Sequence, residues 1–212
     1  MRLRTHLFAA LLAATSAPAL ADDGLYFSQS LGVGMAKGEL QPTVGNAIES
    51  RLALGARLHW LAFEAWVESD VQTDREGTLK GFLGGEPAAG RADLESYGFA
   101  LRAIAPLYHA PTGEKLEGYV RLGPSVVGGT GMLEGYRGMG MGGSVGIALT
   151  GKVRALGFLW APLFFVKKGP MVTGSLFLDQ GWDFVRLERD DAPTLTARVG
   201  HVSVGFAVGQ TF

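Results

Sequence analysis

Few side chains in this sequence could do chemistry, and His201-Val202-Ser203 is the most suggestive group. A histidine two residues from a serine could offer a base and a nucleophile, given an acid to orient the imidazole. No glutamate follows the pair in the chain. Strand alternation sets His201 and Ser203 on the same face as Gly205, Ala207 and Gly209. A face of small residues points inward, so the pair reads as interior polar packing. A titratable His201 would still tune the polarity of that interior.

The other chemical candidates are weaker. Asp179 and Asp183 share a face, and Glu188, Asp190 and Asp191 follow in an acidic loop expected over Glu188 to Leu195. Clustered carboxylates can hold Ca²⁺, but no loop has the required ligand spacing, so a solvated acidic loop is expected. Gly138-Met139-Gly140-Met141-Gly142-Gly143 contains a literal G-x-G-x-x-G. A dinucleotide site needs that motif between a strand and a helix, whereas here it leads into an alternating strand. Three of the four histidines follow residue 21, and they are scattered, which gives no zinc spacing. The expectation is therefore no catalytic residue, no cofactor and no metal.

Residues 1–21 read as a secretory signal peptide: Arg2 and Arg4, an apolar run from Leu7 to Ala14, then Ala19-Leu20-Ala21 before Asp22. That run is too short for the ~20 residues of a spanning helix. Cysteine is absent, which excludes a disulfide and a lipid-modified cysteine. Without the two signal arginines the net charge of −1 becomes −3, which gives no support for nucleic-acid binding. Residues 22–212 amount to one domain. Glycine supplies 32 of the 212 residues, about twice its usual ~7%. Such abundance argues against an all-helical fold and for a tightly curved sheet.

Period-2 alternation recurs eight times: Leu25–Met35, Ile48–His59, Leu61–Ser69, Leu94–Pro106, Glu117–Val127, Met141–Gly151, Val172–Leu187 and Thr196–Phe212. Turn-rich stretches follow the first, third, fifth and seventh segments, and the longest is Asp70 to Asp93. Lys152 to Pro170 is read as an apolar turn region resting at a membrane interface on Trp160, Phe164 and Phe165. Two extra short strands there, giving ten in all, are the alternative. An even antiparallel meander with both termini at one end is what a closed membrane barrel requires.

Bulky apolar side chains dominate one face of each segment. The other face mixes Gly, Ala and Ser with Arg51, Arg57, Glu64, Glu68, Arg102, Arg121 and Asp179. An eight-stranded interior is just wide enough to be filled by side chains, so small residues and paired charges suit it. The bulky faces then have only lipid to meet. Folding the second hairpin about Trp60-Leu61 would set Arg57 opposite Glu64 and Gly55 opposite Trp66. A secreted soluble β-barrel is the competing architecture.

With its leader, eight alternating segments and terminal Phe212, the chain resembles the small eight-stranded outer-membrane barrels of the OmpA/OmpX type. The resemblance implies an all-β, antiparallel, up-and-down transmembrane barrel in the outer membrane of a Gram-negative cell, reached by Sec-type export. It implies a monomer in contact with outer-membrane lipids and lipopolysaccharide, its last strand recognised by the barrel-assembly machinery through Phe212. The implied role is a structural or surface-contact protein with a plugged polar interior, without enzymatic activity. Asp70 to Asp93 would be the partner surface. His201 and Ser203 also resemble part of the His, Ser and Glu set of lipid A deacylase barrels. That family carries its triad on the outer face, whereas here both residues sit on the small-residue face. A lipid-modifying hydrolase using His201 and Ser203, or a narrow pore, are the alternatives.

Overall fold

Alternation of bulky and small side chains carries through eight antiparallel strands, which close on themselves in a ring in chain order. The computed structural model describes residues 24–72, 92–154 and 171–209. The strands are β1 (Gly24–Gly38), β2 (Asn46–Leu58), β3 (Leu61–Gln72), β4 (Leu94–His109), β5 (Lys115–Gly129), β6 (Arg137–Arg154), β7 (Met171–Arg189) and β8 (Ala192–Gly209). β1 pairs with β8 from Tyr26↔Gly209 to Gly38↔Ala197, so neither is left as an open edge. The signal segment, residues 73–91 of the long polar loop, residues 155–170 and Phe212 lie outside the described residues. β6 pairs directly with β7 from Arg137↔Glu188 to Arg154↔Met171. No further strand stands between them, and the ten-stranded alternative falls.

The strands run further than alternation alone suggests, mostly toward the end that carries the β1–β2, β3–β4, β5–β6 and β7–β8 connections. We refer to it as the loop end, and to the opposite one as the terminal end. β6 begins at Arg137, so Gly138 and Gly140 are strand residues, not loop. β7 and β8 are joined by Asp190 and Asp191 alone, where a longer acidic loop was expected. Antiparallel pairing beyond the amphipathic stretch still satisfies backbone donors and acceptors, and composition does not reveal it.

The β2–β3 hairpin corrects the expected register. Leu58 pairs with Leu61 across His59 and Trp60, with His59 at φ +55°. Arg57 therefore faces Ala62, Gly55 faces Glu64, Ala53 faces Trp66, and Arg51 faces Glu68. The expected turn was displaced by one residue, which shifts every pair by two positions. A two-residue shift keeps each side chain on its face but changes its partner.

Inside the ring, aromatic rings alternate with glycines. Tyr26 pairs with Gly55, Trp66 with Gly98, Tyr119 with Gly146, and Phe177 with Gly205, and each ring lies over its glycine. The imidazole of His201 covers Gly181 in the same way. A Cβ at any of these glycines would collide with the ring, so the spacing is steric. This accounts for five of the glycines: a narrow barrel admits large rings only where the neighbouring strand has no side chain.

At the loop end the interior turns apolar. Ala36, Leu40, Val44, Leu94, Leu133 and Leu187 join one buried cluster. The β1–β2 connection folds across the barrel mouth to reach it: Val44 N–H donates to the Leu40 carbonyl at 2.8 Å, and Ala92 N–H to the Thr43 carbonyl at 3.2 Å. Thr130 N–H donates to the Asp93 carbonyl at 3.0 Å. The outer wall is apolar as well, with Phe99 71%, Val204 59% and Ile147 49% exposed.

An arginine at Ile147, central on that wall, is expected to lower the free energy of folding into lipid vesicles by about 2–4 kcal/mol. Met139→Arg, nearer the loop end, should lower it by about 0–1 kcal/mol. Urea titrations of vesicle-inserted protein read both, and equal effects would contradict a lipid-facing wall.

Candidate functional site

Charged residues fill the middle of the barrel because alternation on β2–β5, β7 and β8 aims them there. Arg51, Glu64, Glu68, Arg102, Arg121 and Asp179 are all buried inside the ring, as their strand faces predict. Arg57 points inward with them, its side chain 29% exposed. Glu49, Asp70 and Glu117 are buried there too and were not singled out by the sequence. Each stands two positions from an inward residue: Glu49 from Arg51, Asp70 from Glu68, Glu117 from Tyr119. Extending the alternation by one step would have found them.

The half nearer the terminal end is balanced. Arg57 makes a two-pronged contact with Glu117, at 3.1 and 2.8 Å, and Thr150 donates to the same carboxylate at 3.1 Å. Glu64 takes Arg102 at 2.7 Å, the Tyr26 hydroxyl at 2.6 Å, and Arg121 at 3.9 Å. The Arg102 guanidinium lies 4.3 Å from the centre of the Tyr119 ring and 5.9 Å from that of Phe177. Asp179 is held by neutral donors: Ser203 at 2.6 Å, Tyr119 at 3.2 Å and Ser144 at 3.4 Å. The expected Arg57–Glu64 pair does not form. The register shift sends Arg57 to Glu117 on β5 and leaves Glu64 to Arg102 on β4.

The half nearer the loop end is not balanced. Glu49, Glu68, Asp70 and Asp183 converge there on a single guanidinium, Arg51. Arg51 pairs with Glu68, lies 3.8 Å from Glu49, and rests over Trp66 at 4.8 Å. His201 completes the group, its Nδ1 3.6 Å from Glu49 and 3.5 Å from Asp183. Asp183 thus faces inward, whereas Asp190 and Asp191 at the β7–β8 turn are exposed.

His201 and Ser203 sit inside the ring, 4% and 2% exposed, and neither reaches the outer face. Ser203 donates to Asp179 and His201 faces Glu49 and Asp183, so the two do not form a nucleophile–base couple. The six-residue glycine run lies within β6, with no helix after it.

No protein-family model matches the chain. No curated protein matches it either. Among solved structures it is similar to Neisserial surface protein A (NspA), at 16% identity and a TM-score of 0.48 over 89% of this chain and 97% of that one.

Breaking a buried ion pair strands its partner, at a typical cost of about 3–5 kcal/mol. Arg102→Met is expected to destabilise the barrel by about that much, because Glu64 stays buried. Adding Glu64→Gln should recover most of the loss in the same urea titration. A double variant no better than Arg102→Met would contradict the pairing.

Proposed function

We propose that the chain is an integral outer-membrane barrel acting as a structural or surface-contact element, with a lumen closed to solutes. One observation carries this reading: the ring is apolar outside and charged inside, the reverse of a soluble barrel. On the described strands every outward Asp, Glu, Lys or Arg lies near the loop end: Lys37, Glu95, Arg137, Arg186, Glu188 and Arg198. Between the two ends the outward positions are apolar, small or uncharged, a wall that only lipid would solvate. Trp60 and Tyr108 flank this band at the terminal end, and Tyr97 and Phe184 stand toward the loop end, as interfacial aromatics do. The buried ion pairs and the apolar cluster at the mouth support a lumen without a continuous water path.

The outward charges also favour a lipid contact. Lys37 pairs with Arg198 across β1–β8, and the Arg198 guanidinium lies 5.5 Å from the Phe184 ring centre. Arg137 and Arg186 stand on the neighbouring strands β6 and β7. Arg186 is paired with Glu188 at 2.8 Å, and Lys37, Arg137 and Arg198 add cations above an apolar wall that suit the phosphates of lipopolysaccharide in the outer leaflet. Sec-type export, a monomeric state and recognition of the last strand by the assembly machinery belong to the same reading.

The protein is expected in the outer-membrane fraction, migrating faster in SDS unheated than after boiling. Its absence from that fraction would sink the proposal. Planar bilayers containing the refolded protein should stay silent, and steady unitary currents would favour the pore. Lipid A should be unaltered by the wild type, and by His201→Ala and Ser203→Ala variants. Deacylation lost in either variant would establish the hydrolase instead.

A further inference from the structure

The loop half of the barrel interior holds a charge excess that no partner among the described residues removes. Glu49, Glu68 and Asp70 each place one carboxylate oxygen within 4.8 Å of the others, and all three residues are buried. An oxygen-bound cation with ligands at about 2.3 Å draws its ligand atoms to such separations. Asp70 Oδ1 is sealed from solvent and makes no hydrogen bond, whereas Glu68 Oε2 is paired with Arg51 and Glu49 Oε1 lies 3.8 Å from the same guanidinium.

A second observation is independent of the acidic cluster. The His201 side chain is only 1% exposed, its Nε2 makes no hydrogen bond, and its Nδ1 has only two long carboxylate contacts, Asp183 at 3.5 Å and Glu49 at 3.6 Å. Its Nδ1 is aimed at the cluster, 3.6 Å from Glu49 Oε2. Buried polar groups are ordinarily satisfied at short range, and an imidazole with only long contacts beside the unbonded Asp70 oxygen leaves room for a shared ligand. Beside Glu68, Asp70 and Asp183 lies a cavity of about 10 Å³, enough for a single water-sized occupant.

Charge points the same way. In the terminal half Arg57, Arg102 and Arg121 answer Glu64, Glu117 and Asp179. In the loop half Arg51 faces four carboxylates and lies over Trp66, which leaves it one close partner, Glu68. With all four carboxylates ionised, even a charged His201 would leave an excess of about two negative charges in a low-dielectric interior, where uncompensated charge is strongly unfavourable. A divalent cation removes that excess in one step.

We infer that Glu49, Glu68 and Asp70, with His201 beside them, form a binding site for one divalent cation inside the barrel. Three carboxylates are a hard oxygen donor set, suited to an ion of the Mn²⁺ class over soft, thiolate-seeking metals. The ion would link β2 and β3 beneath the apolar cap. The inference rests on the interior alone and does not depend on where the barrel resides.

The test uses the full-length mature chain refolded in zwitterionic detergent without lipopolysaccharide, stripped with chelator and titrated with MnCl₂. Free Mn²⁺ is read by electron paramagnetic resonance. Expected is saturable binding of one Mn²⁺ per chain, weakened on the order of tenfold or more in Glu49→Gln and Asp70→Asn. Glu117→Gln, at the opposite end, should bind as the wild type does. Mn²⁺ should also raise the temperature at which the wild-type barrel loses its fast-migrating form, with a smaller rise in Asp70→Asn. Absence of saturable binding in the wild type would overturn the site. So would binding that survives both substitutions unchanged, since the ion would then sit on surface carboxylates. Should a variant fail to fold, the wild type's stoichiometry and Mn²⁺-dependent thermal shift decide.

Discussion

Closure of the ring is the constraint on which everything else in this structure depends. A sheet that must satisfy every backbone donor and acceptor without an edge has to join β1 to β8, and with eight strands the lumen is narrow. Buried side chains crowd it. A large ring fits only where its neighbour is absent, which is why Tyr26, Trp66, Tyr119, Phe177 and His201 each lie over a glycine on the adjacent strand. The glycine content is a packing requirement of the lumen more than of the turns.

Narrowness also sets the rules for charge. A guanidinium inside must meet a carboxylate at once, and Arg102 does so with Glu64 while three aromatic rings surround it. The arrangement is graded along the barrel axis, from paired charges near the terminal end, through an acidic layer, to an apolar cap at the mouth. The cap matters to the layer beneath it. By excluding water it raises the free energy of any unpaired carboxylate there, so neutralisation becomes a structural necessity and not a surface nicety.

Fold and face were legible in the sequence because both follow from period-2 alternation, which needs no knowledge of partners. Arg51, Glu68, Arg121 and Asp179 lie inside for that reason. Partners were less legible. Assigning the turn to Trp60-Leu61 when it is His59-Trp60 left every residue on its proper face yet paired Arg57 with the wrong carboxylate. The error came from turn chemistry: His59 adopts a left-handed backbone more often found at glycine or asparagine, so nothing at that position marked the turn. Strand ends were also hidden, because pairing at Asp70, Glu188 and Arg189 continues into polar sequence. Asp70 was assigned to a loop for that reason, and with it went the clue to the acidic layer.

The His201-Val202-Ser203 pair shows how the two kinds of legibility divide. Its face was readable, and it separates the pair from any lipid on the outer wall. Its partners were not, because they come from β2 and β7 by way of registers that a sequence does not print. Ser203 is engaged with Asp179, and Nδ1 of His201 faces Glu49 and Asp183. An interior histidine set between two carboxylates is placed to hold charge inside the ring, not to reach its outer face.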